Sequence, residues 1–245
     1  MLKDVKNAVK IMEIPFYNGT KKQFMSTVVE DSFQKKTKQF IVTANPEIVM
    51  ATKNNEPYKQ IVQSATYIVP DGIGILLAAK RKKTPLQERI AGFDLFMDML
   101  VYANENNATC YFLGATEETN KKAVENIQKQ YPNIRILGRH HGYISLDDKE
   151  LAEEISTLQP DFIFVALGFP KQEEWIDSYS NLFQKGIFIG LGGSFDVLAG
   201  NVKRAPEIWI KLRLEWFYRI ALQPTRWKRL VPLAKFLGLT IIRKI

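Results

Sequence analysis

A chain of 245 residues, 46% of them apolar, carries enough material for one large domain or for a domain with an appendage, and its composition excludes disordered and low-complexity classes. The net charge of +8 is uneven: residues 197–245 hold 11 Lys/Arg against Glu207 and Glu215, while the rest holds 23 basic and 24 acidic groups. A basic segment of this kind seeks phosphates, those of nucleic acid or of anionic lipid.

In chain order, strands are predicted at Gln39–Thr43, Thr66–Val69, Thr109–Leu113, Ile134–Gly138, Asp161–Ala166 and Gly186–Gly190. Between them lie helical patterns at Thr20–Phe33, Phe93–Asn106, Glu117–Tyr131, Asp147–Leu158 and Lys171–Tyr179, with Thr116 and Asp147 as N-caps and Pro132 as a stop. Short apolar strands alternating with amphipathic helices predict an α/β fold, a Rossmann-like parallel sheet flanked by helices, over residues 1–195. Cys110 is the single cysteine and lies in an apolar run, which rules out an internal disulfide and fits a reducing compartment.

Residues 196–245 read as a basic amphipathic C-terminal appendage. A helix is expected from Ala205–Pro206 to about Leu222, followed by a break at Pro224. Basic groups interleave there with Trp209, Trp216, Phe217, Tyr218 and Trp227, and then with Leu233, Phe236 and Leu237. Two readings stay open: a helix lying in a membrane interface, or one packing its apolar face on the domain. The run Leu230–Ile242 is interrupted by Pro232, Lys235 and Gly238 and falls short of the roughly 20 apolar residues that span a bilayer. The start of the chain shows no signal-peptide core, so a cytoplasmic protein with peripheral membrane contact is expected.

In an open parallel sheet, ligands sit at the carboxyl ends of the strands. Polar or glycine-rich segments follow five predicted strands: Thr43-Ala44-Asn45, Pro70-Asp71-Gly72, Leu113-Gly114-Ala115, Leu167–Glu173 and Gly190–Asp196. Asp71 is placed to act as a general base or, equally, as the N-cap of a helix starting near Gly72. Gly192 and Gly193 suit a phosphate cradle or a tight turn, and Arg89 a diphosphate contact or a surface ion pair. His140 and His141 lack further ligands at metal spacing and read as structural. The absence of an Asp-x-Asp element predicts that no metal cofactor is needed.

Taken together, Thr43-Ala44-Asn45, Pro70–Gly74, Glu88-Arg89-Ile90-Ala91-Gly92, Gly168–Glu173, Gly192–Asp196, Lys203-Arg204-Ala205-Pro206 and Glu215–Arg219 resemble the WecG/TagA/CpsF family of bacterial glycosyltransferases. The resemblance implies inverting transfer of N-acetylmannosamine from UDP to the 4-OH of GlcNAc-diphospho-undecaprenol, an early step of wall teichoic acid linkage-unit synthesis. A related donor, UDP-N-acetylmannosaminuronic acid, is the alternative. It further implies Asp71 as catalytic base and a substrate pocket drawn from Thr43, Asn45, Gly72, Arg89, Gly114, Gln172, Glu173, Gly192, Gly193, Asp196 and Arg204. Arg219, Arg226 and Arg229 are expected on the diphosphate, with the appendage on the anionic inner face of the plasma membrane. Partners are then the UDP-sugar, the lipid-linked acceptor and the membrane surface, with homo-oligomerisation left open.

Two rivals are weaker. A nucleic-acid-binding protein leaves the glycine-rich rim without a purpose, and the tail is too apolar for a solvated arm. A nicotinamide enzyme is disfavoured because Leu77 replaces the third glycine of a dinucleotide fingerprint at Gly72-Ile73-Gly74.

Overall fold

The computed structural model of the chain describes residues 8–206, 208–209, 215, 217–218, 227 and 230–242. An antiparallel hairpin, β1 (Val9–Ile11) and β2 (Ile14–Phe16), precedes the main sheet. The six strands of that sheet are β3 (Lys38–Ala44), β4 (Tyr67–Pro70), β5 (Thr109–Gly114), β6 (Arg135–His140), β7 (Phe162–Ala166) and β8 (Gly186–Gly190). All pair in parallel, in the order β4-β3-β8-β7-β5-β6.

Apart from the edge strand β6, the strands of this sheet are buried on both sides, and alternate residues feed two cores. Phe40, Val42, Tyr111, Leu113, Ile163, Val165 and Phe188 belong to one. Ile41, Cys110, Phe112, Phe162, Phe164, Ile187 and Ile189 belong to the other. The first core is covered by α3 (Pro46–Asn54), α4 (Glu56–Ser64), α5 (Ile73–Arg81), α8 (Lys149–Leu158) and α9 (Lys171–Tyr179). The second is covered by α1 (Lys21–Phe24), a π-helical segment (Met25–Glu30), α6 (Gly92–Glu105), α7 (Glu117–Gln130) and α10 (Ser194–Leu198). Between the π-helical segment and β3 lies α2 (Asp31–Gln34).

Local chemistry sets the helix starts. Thr20 and Gln23 form a reciprocal capping box ahead of α1, and the Thr116 hydroxyl accepts from the Thr119 N–H at α7. The cap expected from Asp147 falls to Asp148, whose side chain accepts from the Leu151 N–H at 3.1 Å. The single helix expected at Thr20–Phe33 is three segments, because a π-helical stretch interrupts it. The hairpin, α3 and α4 are additions to the expected elements.

The expected boundary at 195/196 cuts through α10, and Phe195 and Ala199 sit in the second core. The last helix, α11 (Leu230–Ile241), packs on α3 and α5. Its Phe236 is fully buried in the first core, with Leu237 and Leu239 against it. The packing reading of the appendage therefore holds for this face of α11, and Phe236 is a core residue instead of a membrane contact. Of the expected helix from 205 to 222, Ala205 and Pro206 are described and lie outside any helix, whereas Ile208, Trp209, Glu215, Phe217 and Tyr218 are described and helical. Among the described residues, no helix is long and apolar enough to cross a membrane.

Candidate active site

Where neighbouring strands send their following helices to opposite faces, a crevice opens at the carboxyl edge. β3 leads into α3 on the first face and β8 into α10 on the second, so one such crevice falls between these paired strands. Thr43, one residue before the end of β3, bridges them: its hydroxyl donates to the Gly190 carbonyl at 3.3 Å.

Asp71 follows β4, beside β3, and its own N–H donates to the Ala44 carbonyl at 3.0 Å. Its carboxylate does not cap α5, whose N-cap is Gly72 with no side-chain bond. Instead, the Gly92 N–H at the start of α6 donates to Asp71 Oδ2 at 3.2 Å. That places the carboxylate on the positive end of α6, where negative charge is favoured. Gly92 is the close-approach residue here, since a Cβ on it would lie 3.0–3.2 Å from the Thr43 side chain. Asp71 and Thr43 thus meet the same helix start.

Arg89 lies next to this cluster, because the Ile90 N–H donates to the Pro70 carbonyl at 2.9 Å. Its guanidinium pairs with Glu215 of the appendage at 3.4 Å, both side chains being mostly buried. Arg89 thus makes an ion pair, across to the appendage instead of on the open surface. Arg204 pairs with Asp94 and stacks over Phe93, 4.9 Å from the ring centroid, on the first turn of α6.

On the other wall, Gln172 and Glu173 open α9 and are almost wholly buried. The Gly192 N–H donates to Gln172 Oε1 at 2.9 Å, and Gln172 Nε2 donates to Glu173 Oε1 at 2.7 Å. The Tyr58 hydroxyl donates to Glu173 Oε2 at 3.2 Å. Burial pushes the Glu173 carboxyl up to about 7, against the hydrogen bonds from Gln172 and Tyr58 that lower it. Burial, then the adjacent Glu173, raises Tyr58 as well, so it stays a neutral donor. Tyr58 is a residue that sequence reasoning missed; α4 carries no pattern that marks it.

The remaining candidates divide. Asn45 is the N-cap of α3, its Oδ1 accepting from Glu47 and Ile48. Gly72 has a left-handed φ of +100° in the turn from Asp71 into α5. Gly193 is the exposed N-cap of α10, and the Asp196 carbonyl closes the following loop by accepting from Asn201 and Val202. Gly114 ends β5, two strands from the crevice along the sheet, pressed against the Ala166 backbone. Arg219, Arg226 and Arg229 lie outside the described residues.

These features define an α/β protein with a polar crevice at a switch point of its sheet, bordered by a carboxylate, a threonine and a glycine turn. Residues 9–245 match the family described as "Glycosyl transferase WecG/TagA/CpsF family". The chain belongs to that family. A protein of Bacillus subtilis (strain 168) is 41% identical over 234 residues, 96% of this chain and 91% of its own length. One from Staphylococcus aureus (strain MRSA252) is 42% identical over 223 residues, 91% of this chain and 86% of its own. Both are named N-acetylglucosaminyldiphosphoundecaprenol N-acetyl-beta-D-mannosaminyltransferase.

Proposed function

We propose that this chain transfers N-acetylmannosamine from UDP-N-acetylmannosamine to the 4-OH of GlcNAc-diphospho-undecaprenol, with inversion, in building the wall teichoic acid linkage unit. The observation that carries this reading is the convergence of Asp71 and Thr43 on the start of α6, across the crevice from the Gln172–Gly192 turn. Both relatives are named for N-acetylmannosaminyl transfer with this lipid-linked acceptor.

Inverting transfer is one in-line displacement. The acceptor O4 bonds to the anomeric carbon as the bond from that carbon to UDP breaks, and the O4 proton passes to the Asp71 carboxylate. The Gly92 N–H holds Asp71 Oδ2, which fixes the direction in which the carboxylate faces. The arginines Arg219, Arg226 and Arg229 balance the charge on the departing diphosphate without a metal. The deciding experiment is a donor screen with a soluble GlcNAc-diphospho-lipid analogue, reading UDP release and product mass. UDP-N-acetylmannosamine is the expected donor, and turnover only with the uronic acid form would replace it.

The acceptor's lipid calls for attachment to an anionic membrane surface. Exposed apolar side chains gather in the appendage at Ile208, Phe217, Trp227, Val231, Ile241 and Ile242. The Arg81 guanidinium donates to the Ile241 carbonyl at 3.2 Å, which brings the exposed run Lys80-Arg81-Lys82-Lys83 alongside the end of α11. Apolar side chains rimmed by basic ones suit an anionic bilayer surface.

A further inference from the structure

We propose that Glu173 is a positioning residue that sets the glycine turn after β8 through Gln172, without touching the donor itself. The consequence for UDP rests on the donor-site reading above; the effect on the turn does not.

Both oxygens of Glu173 accept hydrogen bonds, whereas a glutamine amide has one accepting and one donating end of nearly the same shape. Glu173 is 1% exposed and faces the Gln172 amide, so the NH₂ end of Gln172 must turn toward it. The oxygen end is thereby left to accept from the Gly192 N–H. The Tyr58 hydroxyl, donating to the second carboxylate oxygen, holds the group from the α4 side. Phe169 lies edge-on to the Tyr58 ring at 5.7 Å and fixes that side in turn. Every donor in the chain from Tyr58 and from Gly192 points toward Glu173, so its two accepting oxygens set the polarity of the whole network.

The geometry around Gly190 completes the device. A Cβ at this last residue of β8 would lie 2.5 Å from Gln172 Nε2, so only glycine lets the amide lie across the strand end. Gly192 itself has a φ of +52°, a conformation that a well-directed acceptor on its N–H helps to hold. Glu173 thus reaches the crevice at one remove, buried beneath the residue that lines it.

The test compares Glu173→Leu, Glu173→Gln and Tyr58→Phe in the full chain, reading hydrogen exchange at the Gly192 amide and UDP affinity by calorimetry. Glu173→Leu removes both acceptors, so Gly192 exchange should quicken by about tenfold or more and UDP should bind roughly tenfold more weakly. Glu173→Gln keeps an oxygen for Gln172 and places an NH₂ against the Tyr58 oxygen, and should restore both readouts to within about threefold. A folded Glu173→Leu protein with wild-type exchange at Gly192 overturns the assignment. So does Glu173→Gln behaving like Glu173→Leu. Where Glu173→Leu fails to fold, Tyr58→Phe decides: exchange quickened by about threefold is expected, and wild-type exchange overturns it. Altered exchange with unchanged UDP affinity breaks the link from turn to donor. A wild-type protein that binds no UDP, yet whose Gly192 exchange depends on Glu173, overturns the donor reading alone.

Discussion

Arg89 and Glu215 pair at 3.4 Å between the loop ahead of α6 and the appendage, with both side chains mostly out of solvent. The pair joins the rim beside Asp71 to the segment that carries the basic excess. Because Glu215 partly neutralises Arg89, loss of either partner leaves a charge half-buried. A double-mutant cycle with Arg89→Gln and Glu215→Gln should give a coupling of roughly 1 kcal/mol in unfolding free energy. Additive effects would mean that the two elements are held together by other contacts.

Asp71→Asn should keep the fold and UDP affinity while lowering turnover by roughly 10²–10⁴-fold. The Gly92 N–H still finds an oxygen on the amide, so the start of α6 is preserved. Near-wild-type turnover would remove Asp71 from the base role.

Turnover should survive EDTA, since neutralisation of the leaving diphosphate is assigned to arginines. Activity lost in chelator and recovered with Mg²⁺ or Mn²⁺ would overturn that assignment.

The two faces of α11 should separate by mutation. Phe236→Ser opens the first core and should cost about 3 kcal/mol or more in stability. Val231, Ile241 and Ile242, all exposed, changed together to Ser should leave stability within about 1 kcal/mol while weakening sedimentation with anionic vesicles. Turnover on a soluble acceptor should be spared in that triple variant. Unchanged vesicle binding would mean that this face does not meet the bilayer.

Glu173 also gives a pH signature. Its carboxyl rises from 4.5 to about 7 on folding, so between these values the folded state binds more protons than the unfolded state. The stability from the neutral form is fully present below pH 4.5 and is lost as pH rises toward 7, by roughly 3 kcal/mol in all. Glu173→Gln should lack this decline and be the more stable protein at pH 8. Denaturant unfolding at pH 5 and pH 8 checks it, and parallel pH profiles for the two proteins would place the titration elsewhere.

Sequence alone determined the alternation of strands and helices, because apolar period and capping chemistry are local properties. It likewise placed Asp71, Thr43 and the glycine turn on one edge, since a parallel sheet gathers every strand's carboxyl end there. It left Asp71 divided between base and cap, and the tertiary structure resolved the capping half: the carboxylate meets α6, 21 residues onward, and not its own helix. Whether α11 lies on the protein or on a membrane was equally undecidable from an amphipathic pattern, which fits any apolar surface. Packing on α3 and α5 claimed Phe236 for the core and left Val231, Ile241 and Ile242 outward. The roles of Tyr58, Gly92 and Glu215 came from tertiary structure alone, for each acts through a partner distant in the chain, and a hydrogen bond between remote residues leaves no periodic trace in the sequence.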